Sequence, residues 1–178
     1  PMTATFNEAV ENFTIDDITV TNGTKSNFAT VSDSVYTFNV NPATEGEVTV
    51  SIPATAAQDI AGNNNRESNL FSITYDTIRP AAPIVSDPTG AKTLNADNYT
   101  IKGTAEADAT VKVYKEGVLA GNGIATGGNY SISVALTQNA VNKFTVTATD
   151  AAGNESGATT LPDITENSAA GTHTFTVG

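Results

Sequence analysis

Carboxylates are the side chains of this chain with the most chemistry to offer, and they recur in a pattern. Asp59-Ile-Ala-Gly-Asn63 returns 91 positions later as Asp150-Ala-Ala-Gly-Asn154. Further acids stand at Glu8, Asp16, Asp17, Asp76, Glu106 and Asp108. Carboxylate and amide oxygens are hard donors. They suit calcium, which takes about 6–8 oxygen ligands in flexible geometry, better than magnesium, which demands a tighter octahedron. Zinc finds no typical site, because cysteine is absent and His173 is the only histidine. The same scarcity argues against a Ser-His-Asp arrangement. No Gly-rich phosphate loop follows a strand and opens a helix, and the D-x-D-x-D-G spacing of an EF-hand is missing. Loop-tip acids without a cleft are poor acid/base catalysts. We expect no enzyme.

The elements that must position these acids are strands. Period-two alternation runs through Ile18–Val20, Tyr36–Val40, Glu47–Ile52 and Phe71–Tyr75. It continues in Tyr99–Lys102, Thr110–Tyr114, Tyr130–Val134 and Lys143–Thr147. Thr21-Asn-Gly-Thr24, Gly121-Asn-Gly123 and Gly127-Gly-Asn129 read as punctuation between strands. The one window with any helical character is a single turn over Ala54–Asp59. The repeat keeps its register past the Asp-x-x-Gly-Asn phrase: Leu70 matches Leu161, Ile73-Thr74 matches Ile164-Thr165, and Asp76 matches Asn167. A repeat near 90 residues in an all-β chain means tandem modules of sandwich size.

Composition narrows the partners. The 178 residues carry nineteen acids against eight basic residues, a formal charge of −11. Nucleic acid is excluded as a partner, since binding needs a positive footprint. Anionic membrane surfaces repel such a chain, and no apolar run is long enough to span a bilayer. Cations are its natural company, although an acidic surface also serves solubility alone. Tryptophan is absent and aromatics make up 7%. The cores must therefore be built from Val, Ile, Leu and Ala with a few Phe and Tyr. Five N-x-Ser/Thr matches, such as Asn22-Gly-Thr24, read as chance in an Asn/Thr-rich chain.

The boundaries follow from prolines and the repeat. Residues 1–76 form the first domain, 77–83 a linker, 84–167 the second domain and 168–178 a tail. Pro80 and Pro83 keep the linker out of any sheet and stiffen it. The second domain opens with Ile84-Val85 and a turn at Asp87-Pro-Thr-Gly90 before its Tyr99 strand. The first begins almost directly at the equivalent strand, Met2–Phe6, so we expect it to lack its first strand. The tail ends in Thr172-His-Thr-Phe-Thr-Val177, which alternates like a strand. Two readings stand for it: a disordered end, or a strand for an exposed sheet edge, including that of the first domain of a neighbouring molecule.

Several phrases carry a family resemblance. Phe13-Thr-Ile-Asp-Asp-Ile-Thr-Val-Thr-Asn-Gly-Thr24, Gly103-Thr-Ala-Glu-Ala-Asp-Ala-Thr-Val-Lys-Val-Tyr114 and Phe144-Thr-Val-Thr-Ala-Thr-Asp-Ala-Ala-Gly-Asn154 resemble bacterial Ig-like (Big) repeat domains. The Asp76-Thr-Ile-Arg-Pro80 junction is similar to that family's inter-repeat linker. The resemblance covers nearly the whole chain except the tail. It implies two tandem immunoglobulin-like β-sandwiches from a large secreted or cell-surface adhesin of a bacterium, with calcium at the junctions of many such arrays.

In a sandwich of this type the loops after the second and sixth strands lie at the end where the chain enters. For the second domain these loops are Glu106-Ala-Asp108 and Asp150–Asn154, and the incoming chain carries Asp76. We therefore expect a junction calcium site of Asp76, Glu106, Asp108, Asp150 and Asn154. At about 4 Å each unpaired carboxylate pair costs roughly 1–4 kcal/mol, which a divalent cation relieves. The first domain offers a weaker, incomplete set: Glu8, Asp16 or Asp17, Asp59 and Asn63. Asp163, Glu166 and Asn167 are the candidate ligands toward a following module. Asp-x-x-Gly-Asn is also turn chemistry, with Asp capping backbone donors and Gly taking positive φ. The convergence of three acidic regions favours the cation.

The expected role is a non-enzymatic spacer. Its partners are adjacent repeats of the same chain, with any cell-surface or substratum ligand bound elsewhere in the full-length protein. The alternative is a binding module for glycan, ice or a host protein, or an accessory module of a secreted hydrolase. Its tyrosines fall inside strands, which leaves few aromatic platforms for sugar.

Overall fold

The computed structural model describes residues 1–168, and the expected strand at Thr172–Val177 lies outside them. The chain divides into two compact units, Pro1–Thr77 and Ile78–Gly178.

The first unit contains β1 (Met2–Thr5), a 3-10 turn (Ile15–Asp17), β2 (Thr19–Thr21), β3 (Gly23–Ser32), β4 (Val35–Pro42), β5 (Gly46–Ser51) and β6 (Phe71–Tyr75). One sheet has the order β1-β4-β3 and the other β2-β5-β6. Alternation places Tyr36 and Phe38 of β4 and Val48 and Val50 of β5 inside. Phe6, Phe13, Phe28 and Tyr36 cluster with ring centroids 4.9–6.0 Å apart, mostly edge to face, with Phe28 stacked on Tyr36. The predicted turn over Ala54–Asp59 is not helical; the helical turn lies at Ile15–Asp17 instead. It forms there because Thr14 is a capping residue: its N–H and hydroxyl both donate to Asp17 Oδ2, at 2.7 and 2.8 Å.

The second unit contains β7 (Ile84–Asp87), β8 (Lys92–Leu94), β9 (Asn98–Thr104), β10 (Thr110–Lys115) and β11 (Val118–Ile124). It continues with β12 (Asn129–Ala135), β13 (Val141–Asn142), β14 (Phe144–Thr149), β15 (Thr159–Thr160) and β16 (Ile164–Glu166). One layer is β12-β9-β7. A second sheet is β11-β10-β14-β15, and a smaller third one is β13-β16-β8. Its core is larger and aliphatic, with Ile101, Val111, Val113, Val146 and Ile164 fully buried around Phe144. The all-β class and the sandwich reading hold in both units.

Matching the units strand by strand shows what differs. Ala4 pairs with Tyr36 in β1·β4 as Gly103 pairs with Tyr130 in β9·β12. β1 is therefore the counterpart of β9. The outer edge of β9 is covered by β7, whereas β1 ends its sheet. A second difference concerns β3, which joins β4, while its counterpart β11 joins β10. Tight turns decide this. Asp33-Ser34 links β3 to β4, and Glu116-Gly117, both at positive φ, links β10 to β11. Each strand joins the neighbour to which its two-residue turn ties it.

Gly121-Asn-Gly123, expected as a break, lies inside β11. A Cβ on Gly121 or Gly123 would stand 3.0–3.3 Å from Ile132 side-chain carbons. These glycines allow close approach of β12 rather than a turn.

Candidate functional site

Strand pairing gathers the predicted ligands of the second unit at one end. Ile84 pairs with Thr104, the last residue of β9, and Thr110 opens β10 opposite Thr149, the last residue of β14. The incoming chain, the loop with Glu106 and Asp108, and the Asp150–Asn154 loop therefore share that end. Asp108 itself takes positive φ (65°), and its N–H donates to the Ala125 carbonyl. Asp76 belongs to the first unit. In that unit Glu8 follows β1, Asp16 and Asp17 precede β2, and Asp59 and Asn63 lie in the long connection from β5 to β6. Glu8 lines a groove of about 620 Å³ with Asn64, Asn65 and Arg66.

The repeated phrase closes on itself. Asp150 Oδ1 accepts the Asn154 N–H at 2.8 Å and Oδ2 accepts the Asn154 side-chain amide at 2.9 Å. The loop is tied again by Asp150 N–H to the Asn154 carbonyl and by Gly153 N–H to the Asp150 carbonyl. Gly153 sits at φ 94°, a conformation that side chains resist. Asp59 repeats the pattern: Oδ1 accepts from the N–H groups of Ala61 and Asn63, and Oδ2 accepts from the Asn63 side chain, each at 2.8 Å.

These donors set the charge state. The Asn63 side chain and backbone N–H lead in holding the Asp59 carboxyl below its ordinary value. At Asp150 partial desolvation pushes upward, and the hydrogen bonds from Asn154, Gly153 and Ala152 outweigh it, so its pKa is also lowered. Both carboxylates stay ionised at neutral pH and keep lone pairs beyond those the loop uses.

The fit to calcium is partial. The donors are of the right class, hard oxygens on loops. Yet among the described residues no group of three or more His, Cys, Asp or Glu side chains is placed to hold a metal ion. Asp17 is already engaged by Thr14. An ion at the second unit's entry end would draw on Asp150, Asn154, Glu106 or Asp108 together with backbone carbonyls and water.

Glu166, expected to face a following module, is turned inward. It is 1% exposed, and its Oε2 accepts the Asn139 N–H at 2.6 Å. Buried Asn142 escaped the sequence reading. Its Oδ1 accepts the Thr137 N–H at 2.7 Å, and its amide donates to the carbonyls of Thr137, Ala140 and Ile164. Nothing in the polar run Gln138-Asn-Ala-Val-Asn-Lys143 singled it out. Burial also raises the Tyr130 hydroxyl to about 12, and burial with the hydrogen bond to Asp87 raises Tyr99 to about 12.

Residues 1–75 match the family model described as a bacterial Ig-like domain, and residues 86–163 match that of a bacterial Ig domain. No curated protein matches the chain. Among solved structures, one entitled "Structure of Protease" is 20% identical over 56% of this chain and 22% of its own, at a TM-score of 0.30. A Bacteroides ovatus mixed-linkage glucan utilization locus protein, SGBP-B, solved with a mixed-linkage heptasaccharide, is 17% identical. It is covered over 38% of its length by 85% of this chain, also at a TM-score of 0.30. This chain thus spans well under half of either structure, and likenesses of that score carry no argument about its function.

Proposed function

The chain belongs to the bacterial Ig-like domains, carrying one in each unit, and from that premise we propose that it is a non-enzymatic structural repeat of a bacterial surface adhesin. Its work is to hold a more distant binding region away from the cell, with calcium between successive domains fixing their angle. The family's modules are generally non-catalytic and typically occur in extracellular or surface proteins. No helix among the described residues is long and apolar enough to cross a membrane.

One observation carries the calcium part of this reading: two loops, one bearing Glu106 and Asp108 and the other Asp150 and Asn154, reach the end of the second unit where the chain enters. The linker is short between its anchors. Thr77 N–H donates to Glu45 Oε2 at 2.9 Å, and the Pro83 carbonyl accepts from Thr159 Oγ1 at 2.6 Å. Residues 78–82 lie between them. Asp76 stands just before the first anchor and completes the ligand set in this proposal. Extracellular calcium sites typically have a Kd of about 10⁻⁴–10⁻³ M. An ion at a hundred times its Kd stabilises the form that binds it by about 2.7 kcal/mol. Small-angle scattering with calcium and with chelator tests the proposal. The maximum dimension lengthens and narrows in distribution with calcium; identical curves contradict it.

A further inference from the structure

Where the β5·β6 ladder stops, a side chain takes over its hydrogen bonding. Gly46 pairs with Tyr75, the last residue of β6, and the ladder ends there. One residue further along each strand stand Glu45 and Asp76. The Glu45 carboxylate reaches past Asp76 and accepts twice from Thr77. Its Oε2 takes the Thr77 N–H at 2.9 Å and its Oε1 takes the Thr77 hydroxyl at 2.5 Å. Two bonds to one planar group fix the rotation of a residue as well as its position. Asp76 lies between β6 and this grip, so its backbone is held on both sides.

The grip is itself held from behind. Asn22 stands at φ 52° between β2 and β3, a conformation that asparagine tolerates better than most residues. Its side chain faces the connection from β4 to β5. Oδ1 accepts the Thr44 N–H at 3.1 Å and the Thr44 hydroxyl at 2.7 Å, and Nδ2 donates to the Thr44 carbonyl at 2.8 Å. The Asn22 carbonyl accepts the Ala43 N–H at 3.0 Å. Every polar group of Thr44 is therefore satisfied by one residue, 22 positions earlier. Gly46, at φ 116°, then turns the chain into β5 in a conformation that side chains resist. Glu45 is fixed between these two points.

We propose that Asn22, the β4–β5 connection and Glu45 form a clamp that sets the direction in which the chain leaves the first unit, with Glu45 as its positioning residue. The purpose of the clamp rests on the spacer reading above; its existence rests on these hydrogen bonds. A strand end in solvent frays unless it is tied down. Here Thr77 is tied through Glu45 to a connection that Asn22 already locks. In the second unit Pro83 is fully buried, and its carbonyl accepts from Thr159 Oγ1 at 2.6 Å. With Thr77 gripped as well, bending is confined to residues 78–82, a span that Pro80 stiffens. A short span between held ends has little conformational freedom to lose. The clamp thus supplies stiffness that needs no ion, and it fixes the backbone of Asp76 for the ligand set proposed above.

A plain strand cap and a positioning clamp differ in what their loss changes. Losing a cap frees one amide. Losing a clamp also widens the range of directions open to the residues that follow. Glu45 and Thr77 are both exposed, so substitution of Glu45 leaves the core of the unit untouched.

Amide exchange and NMR relaxation on the intact chain, with chelator present, make the distinction. In Glu45→Ala the Thr77 amide is expected to exchange about tenfold faster while β5 stays protected. The rotational correlation times of the two units, read separately, are expected to shorten. Asn22→Asp sets a carboxylate oxygen against the Thr44 carbonyl, where the amide had donated, and is expected to reproduce both changes with Glu45 still in place. Faster Thr77 exchange with unchanged correlation times overturns the proposal and leaves Glu45 a strand cap. An unchanged Thr77 amide in Glu45→Ala also overturns it. Because no calcium is present, failure of the calcium reading would not move these outcomes, and failure of the clamp would not alter calcium binding at Asp150.

Discussion

At the scale of residues, the repeated phrase is a turn that closes on itself. Asp59 and Asp150 each satisfy their own loop, and the folded state lowers both pKa values. The stability they add is present above the ordinary aspartate pKa of about 4 and is lost as pH falls through the lowered folded value. Denaturant midpoints of the wild type are expected to fall more steeply below about pH 4 than those of the double variant Asp59→Asn, Asp150→Asn; parallel curves would contradict this. Asn142 is the polar anchor of the second core. Asn142→Leu strands the Thr137 N–H and three carbonyl groups, so a loss of about 2–4 kcal/mol is expected in chemical denaturation of the second unit. The acids were legible in the sequence as residue types. Their partners were not, because an Asp-x-x-Gly-Asn loop closes on itself or binds an ion with the same five residues.

At the scale of elements, alternation located most long strands. Tyr36–Val40 lies within β4, and Phe71–Tyr75 is β6 to the residue. Alternation did not reveal which sheet a strand joins. β3 and β11 occupy corresponding places in the repeat and pair differently, because the turn residues on either side differ. Gly121 and Gly123 misled because glycine marks both a turn and a close approach, and only the position of Ile132 separates the two. Gly103 belongs to the same class. A Cβ there would collide with the Ile84 carbonyl oxygen and the Tyr130 hydroxyl. Gly103→Ala is expected to displace β7 and cost about 3 kcal/mol. The direct readout is faster amide exchange at Ile84, which pairs with Thr104, with β12 still protected; unchanged exchange at Ile84 would show that β7 adapts.

At the scale of the molecule, the two domains are unequal. Among the described residues, the second has twelve buried residues in its core cluster and the first has eight, and the first leaves the apolar face of β6 exposed. Burying less apolar surface gives a smaller margin over chain entropy. The first domain is expected to exchange its amides and melt before the second, resolved by hydrogen-exchange mass spectrometry during heating. The repeat made the tandem arrangement readable from the sequence. What joins one repeat to the next depends on atoms from both sides of a linker and is tested in solution. Calorimetric titration with calcium, run on the intact chain and on Asp150→Ala, is the most direct test of the spacer account. It predicts saturable binding in the sub-millimolar to millimolar range that the substitution weakens at least tenfold, the loss of about 1.4 kcal/mol of binding energy. Equal heats for the two proteins, or none for either, would contradict it.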